Sequence, residues 1–190
     1  MSNIEIEIRV KINNSNNRLA AWLKNNGVFV SEEEQKDIYF ESTENSFLYT
    51  DKEGKKQADK WLRVRSSKKE NSVCYKLVHR DKSGNFIYAD EYETQVDNPE
   101  VMVNMFKCLN YEKLCSVVKK RTLWKYSNYY ICIDHVLELG DFVEIEIIDS
   151  LKSMDIEKEK REMIDFIKYI SNSEVDKIEG GYPWLLMQKK

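Results

Sequence analysis

Charged side chains fall at alternate positions in several strand-like runs of this chain. Glu5, Glu7, Arg9 and Lys11 alternate with Ile6, Ile8 and Val10. Successive side chains of an extended strand point to opposite faces, so these four charges share one face and the aliphatic residues the other. The pattern recurs as Arg63 and Arg65 about Val64, Glu91 and Glu93 about Tyr92, Lys119 and Arg121, and Glu144 and Glu146 about Ile145, while Lys76 and Asp134 add single charges. Cross-strand ion pairs on an exposed sheet face account for any one of these runs. Seven acids and seven bases spread over most of the strands are explained more simply by one shared interior. A sheet curled into a barrel, apolar faces outward against helices, would line its lumen with all of them.

The residue types name the cargo. Clustered carboxylates without His or Cys suit a hard divalent cation, Mg²⁺ or Mn²⁺, which takes oxygen ligands and keeps some waters. Glu5, Glu7, Glu91, Glu93, Asp134, Glu144 and Glu146 are therefore the candidate metal ligands. Guanidinium and ammonium groups suit phosphate oxygens, which makes Arg9, Lys11, Arg63, Arg65, Lys76, Lys119 and Arg121 the candidate phosphate holders. Neither GxxxxGK[ST] nor GxGxxG is present, so side chains rather than a backbone cradle must hold the phosphates. No general base stands out.

The elements that must position these groups are mostly strands. Period-two alternation predicts strands near 4–12, 36–41, 60–66, 73–79, 86–95, 117–126, 128–137 and 141–149. Helical spacing predicts helices over Ser15 to Asn26, Asn98 to Leu109 and Ser153 to Ile170. The short connections 82–85 and 127–128 read as hairpins, so neighbouring strands should be antiparallel. The polar segment 42–59 reads as a mobile loop. The expected fold is α+β, mainly β: an eight-stranded antiparallel barrel tunnel with flanking helices, in one domain over 1–190.

Composition narrows the function classes. With 190 residues, 42% of them hydrophobic and 33% charged, the chain is globular in character and sized for one domain. A net charge of -3 supplies no global field toward nucleic acid, and no run reaches the ~20 apolar residues of a membrane helix. The expectation is a cytoplasmic protein that binds neither nucleic acid nor membrane; a homodimer is compatible with it. Cys74, Cys108, Cys115 and Cys132 lack C-x-x-C spacing and read as buried thiols. His79 and His135 read as structural, Trp22, Met102, Met105 and Phe106 as core, and Glu157 to Arg161 as a solvated helix face. Trp61, Trp124 and Trp184 read first as packing residues, with stacking on a base at a tunnel mouth as the alternative.

Glu5-x-Glu7-x-Arg9 resembles the ExExK signature of CYTH proteins, the family of class IV adenylyl cyclases and of thiamine and inorganic triphosphatases. The likeness continues in order through Asp37-Ile38-Tyr39-Phe40, Leu62-Arg63-Val64-Arg65, Lys76, Glu91-Tyr92-Glu93, Lys119-Lys120-Arg121 and Asp134 to Glu146, and ends near Tyr182. The resemblance implies a tunnel in which the strand-one and late-strand glutamates bind metals and the Arg and Lys residues bind a triphosphate. It implies conversion of ATP to cyclic AMP and pyrophosphate, with an inorganic, thiamine or nucleoside triphosphatase as the alternative and a non-catalytic polyphosphate-binding module as the second. Arg9 replaces the usual lysine of the signature, which keeps the charge and excludes proton transfer there.

Overall fold

The computed structural model describes residues 3–12, 16–51, 54, 56–82, 84, 86–148, 154–178 and 180–189. In chain order these form β1 (Asn3–Glu5), β2 (Glu7–Ile12), α1 (Asn16–Asn26), β3 (Val28–Ser42), β4 (Leu48–Thr50), β5 (Lys56–Ala58), β6 (Lys60–Ser67), β7 (Ser72–Arg80) and β8 (Phe86–Gln95). There follow α2 (Pro99–Cys108), β9 (Tyr111–Tyr126), β10 (Tyr129–Val136), β11 (Gly140–Ile147), α3 (Ile156–Ser171), β12 (Val175–Lys177) and α4 (Tyr182–Gln188). The expected positions Ser15, Ser153 and 149, and two residues of the 82–85 connection, lie outside the described residues.

The sheet closes through its first strand. Its order is β1-β8-β7-β6-β3-β9-β10-β11-β2-β12, all pairs antiparallel, and β1 and β2 are one run interrupted only at Ile6. Asn3–Glu5 pairs with β8, and the run then passes to β11, whose Ile147 N–H donates to the Ile6 carbonyl at 3.1 Å. Ile178 N–H donates to the Arg9 carbonyl at 2.8 Å. Carbonyls three residues apart in a strand point to opposite edges, so β11 and the β12 segment flank the run on either side. Counting β1 and β2 as one run, the ring contains the eight strands expected.

Apolar faces turn outward, against the helices. Ile6, Ile8, Val10, Val143, Ile145 and Ile147 pack with Leu19 and Leu23 of α1 and with Met163, Ile167 and Ile170 of α3. Phe40, Leu62 and Val64 meet Met102, Val103 and Phe106 of α2. Asn98 caps α2 by accepting from Val101 N–H, and Asp155 caps α3 by accepting from Lys158 N–H, each at 3.1 Å. No described helix is long and apolar enough to cross a membrane.

Five readings need correction. β3 begins at Val28 rather than near 36, because it pairs with β9 along its whole length through a bulge between Phe29 and Ser31; the acidic Glu32 to Glu34 hides the alternation. The segment 42–59 carries the hairpin β4–β5, paired from Leu48–Ala58 to Thr50–Lys56. Met105 and Cys108 are exposed, since α2 lies on the sheet surface and turns them outward. Lys160, placed in a solvated run, is buried, its Nζ donating to the Phe86 carbonyl at 2.8 Å. Trp124 packs in the outer core as first read, and Trp61 and Trp184 line the cavity.

Candidate active site in a charged tunnel

The inward faces enclose a cavity of about 1040 Å³. Six of the seven predicted acids (Glu5, Glu7, Glu91, Glu93, Glu144, Glu146) and six of the seven bases (Arg9, Arg63, Arg65, Lys76, Lys119, Arg121) line it. Strand alternation puts them on the inward face, and register gathers them: Glu146 stands opposite Glu7, Glu144 opposite Arg9, and Lys76 opposite Glu91.

One wall is acidic. Lys76 Nζ sits 2.5 Å from Glu5 and 3.5 Å from Glu91. Burial opposes its charge, but Glu5, Glu91 and Glu7 outweigh burial and hold its pKa well above the usual lysine value. Burial, and then Glu5 and Glu7, push Glu146 up to about 8. Burial and Glu5 likewise raise Glu7. The Cys74 thiol donates to Glu91 at 2.9 Å, and burial pushes it far up, so it stays protonated. Cys74, Glu91 and Glu93 are the one group of three potential ligands that converge within 4.8 Å among the described residues. Glu93, however, already accepts from Arg63 at 2.7 Å and from the Ser72 hydroxyl at 2.6 Å.

The other wall is basic and internally paired. Arg9 Nε donates to Glu144 at 2.7 Å, and Arg121 donates to the other Glu144 oxygen. Burial opposes ionisation of Glu144, yet Arg121, Arg9 and Lys119 hold it well below the carboxylate range. Arg121 also forks onto Asp134, at 2.7 and 2.5 Å. Arg65 forks onto buried Asp37 at 2.7 and 2.8 Å. Arg63 is buried, and its Nε has no hydrogen-bond partner. Burial and the adjacent Arg121 bring Lys119 down to about 8.

Two predicted site residues stand off the cavity. Asp134 is fully buried behind the basic wall, where it accepts from Arg121 and from the Tyr182 hydroxyl at 2.8 Å, with Lys119 Nζ at 3.6 Å. Lys11 shares the right face but lies exposed beyond the cavity, its Nζ 5.7 Å from the Phe142 ring. There the lumen is plugged: Val117, Val136 and Phe142 pack against Tyr182 and Leu186 of α4.

The plug also positions the wall, a role the sequence reading missed. The Arg9 guanidinium lies over the Tyr182 ring at 4.3 Å and donates to the Gly180 carbonyl at 2.5 Å. Gly180 has φ +81°, and a Cβ there would stand 2.7 Å from the Trp184 ring, so only glycine fits. The histidines lie outside the cavity lining, paired with Asp90 and Asp141. Asp37 could have been found from its alternation with Tyr39; the roles of Tyr182 and Lys160 follow from helix packing alone.

The CYTH domain model matches residues 3–182. The chain is 29% identical to a Methanocaldococcus jannaschii protein named as a candidate adenylate cyclase, over 94% of this chain and 96% of the other. It resembles the structure of a conserved hypothetical protein of Pyrococcus furiosus with 26% identity and TM-score 0.72, over 94% and 98% of the two chains. A Hippeastrum candidate adenylyl cyclase, described as revealing a dominant triphosphatase activity, shares the fold at 12% identity, TM-score 0.68, over 99% and 96%. With this match spanning almost its whole length and its charged tunnel built from the matching strands, the chain belongs to the CYTH domain family.

Proposed function

We propose that the tunnel binds ATP together with Mg²⁺ or Mn²⁺ and converts it to cyclic AMP and pyrophosphate. The carrying observation is segregation of charge within one enclosed cavity, a paired basic wall facing a carboxylate wall with Lys76 in its midst. Glu5, Glu7, Glu91 and Glu146 fit a hard divalent cation: all are oxygen donors, and burial with mutual repulsion drives Glu7 and Glu146 toward protonation unless positive charge is added. Such a cation supplies charge neutralisation at the phosphoryl oxygens. Arg63, Lys119, Arg121 and Arg9 hold the triphosphate, Arg63 through the unpartnered Nε. Asp134, Tyr182 and Asp37 keep the cations in place. Positioning and electrostatic stabilisation are what phosphoryl chemistry requires of a protein; the 3′ oxygen then bonds to the α-phosphorus in line as the bond to pyrophosphate breaks, the hydroxyl proton passing to solvent.

The M. jannaschii relative's name supports cyclisation. Hydrolysis of the terminal phosphoryl is the second reading, supported by Lys119, an amine of pKa about 8 among the phosphate holders that is able to exchange a proton with water. The Hippeastrum protein's triphosphatase activity points the same way. Incubation of the purified protein with ATP and Mn²⁺, resolved by chromatography, separates them. Cyclic AMP with pyrophosphate is expected; ADP with orthophosphate makes it a triphosphatase. Undiminished turnover in excess EDTA would remove the metal.

A further inference from the structure

Beyond the charged walls, the same cavity reaches the β4–β5 hairpin, where Tyr49, Thr50, Asp51 and Gln57 line it with Trp61, Trp184 and Arg80, the last already paired with Asp59 at 2.7 Å. The hairpin is fixed there from below: Trp184 Nε1 and Gln188 Nε2 of α4 both donate to the Lys56 carbonyl, at 3.0 and 3.3 Å. Three phosphates have no use for an aromatic and amide chamber. A base tethered to them does, since aromatic rings offer stacking faces and an amide reads a hydrogen-bonding edge.

Resting on the reading of the tunnel as a triphosphate site, we infer that this chamber is a nucleobase subsite selecting a purine with an exocyclic amino group, with Gln57 as the reader and Asp51 as the residue that sets its orientation. Gln57 Nε2 donates to Asp51 Oδ2 at 3.0 Å. The bond fixes the side-chain amide, because turning it over would set Oε1 against a carboxylate. Fixed so, Gln57 presents Oε1 as acceptor and its second N–H as donor. That is the complement of the adenine edge, whose amino group donates and whose ring nitrogen accepts. At the six-membered-ring edge hypoxanthine reverses both roles, O6 accepting and N1–H donating, and an unlocked amide would follow by turning over. Asp51 therefore selects by forbidding the orientation that the wrong base needs.

The test compares kcat/KM for ATP and for inosine triphosphate, with tripolyphosphate, which has no base, as competitor. Release of pyrophosphate or orthophosphate reports turnover by either chemistry. The wild-type protein should favour ATP by roughly 10- to 100-fold, the discrimination of one bidentate amide–adenine contact. Asp51→Asn should collapse the ratio towards unity, chiefly by improving the inosine nucleotide, since an Asn amide can donate to a turned Oε1. Gln57→Leu should collapse it by weakening ATP. The two routes to the same ratio distinguish reading and locking from simple damage to the hairpin. Equal use of both nucleotides by the wild type, or a ratio unmoved in both variants, overturns the subsite. If tripolyphosphate competes while the base makes no difference, the subsite alone falls; if tripolyphosphate does not compete, the triphosphate reading falls with it.

Discussion

The two walls of the tunnel carry comparable numbers of charges and satisfy them in opposite ways. On the basic wall Glu144, Asp134 and Asp37 sit among the guanidinium groups: forked hydrogen bonds hold Arg65 and Arg121 in place, and Arg9 is bound to Glu144. On the acidic wall Glu5, Glu7, Glu91 and Glu146 share Lys76, with Arg9 reaching Glu7 only at 3.4 Å. Buried charge costs little when its partners are built in and much when they must be recruited. The basic wall is thus paired by folding itself, whereas on the acidic wall burial and mutual repulsion drive Glu7 and Glu146 toward protonation.

The largest effects should come from the acidic wall. Glu7→Gln and Glu146→Gln should each lower kcat by about 10²- to 10³-fold, the scale of losing a charge-stabilising group, and should weaken Mn²⁺ binding in calorimetry. The same Glu146→Gln change should raise the melting temperature in excess EDTA, because it removes a carboxylate held at about 8 by burial and repulsion. Mg²⁺ should stabilise the wild type and do little for the variant. A variant that melts lower than wild type in EDTA would break the contrast between the walls.

On the basic wall, Arg63→Ala should raise KM about 10-fold or more with a smaller change in kcat, as removal of one charged hydrogen bond implies. Arg121→Ala should also unfold the protein more readily, by about 3 to 5 kcal/mol, because Asp134 is left buried without its forked partner. Denaturant titration separates these outcomes, and equal stability of the two variants would argue against a pre-paired wall.

A smaller effect follows from Tyr182. Tyr182→Phe removes the bond to Asp134 while keeping the ring under Arg9, and should cost about 1 kcal/mol with a modest rise in KM.

The smallest is a pH dependence. Lys119, brought down to about 8, is protonated at pH 7 and neutral at pH 9, so tripolyphosphate binding in EDTA should weaken a few-fold as pH rises through that range. Lys119→Arg, whose charge persists, should flatten the profile; a fall that survives it belongs to another group.

How much of this was legible in one dimension depends on which physics decided it. Alternation is local, a consequence of strand geometry over a few residues, so the inward charges and the outward Ile and Val of the first strand could be read directly, and with them the barrel. The ExExR run and its downstream partners carried the family for the same reason. Pairing is not local: β3 extends from Val28 because β9 lies beside it, which no feature of Val28 to Glu34 announces. Facing direction is equally local, but depth along the tunnel is not. Lys11 and Asp134 have the right parity, yet one ends beyond the plug and the other behind the wall, because α4 fills that end of the lumen. That Glu144, expected among the metal ligands, also meets Arg9 and Arg121 follows from register, which set them together. The sequence by itself determined which side chains could meet; only the closing of the sheet and the seating of α4 and the hairpin decided which did, since those contacts join residues far apart in the chain.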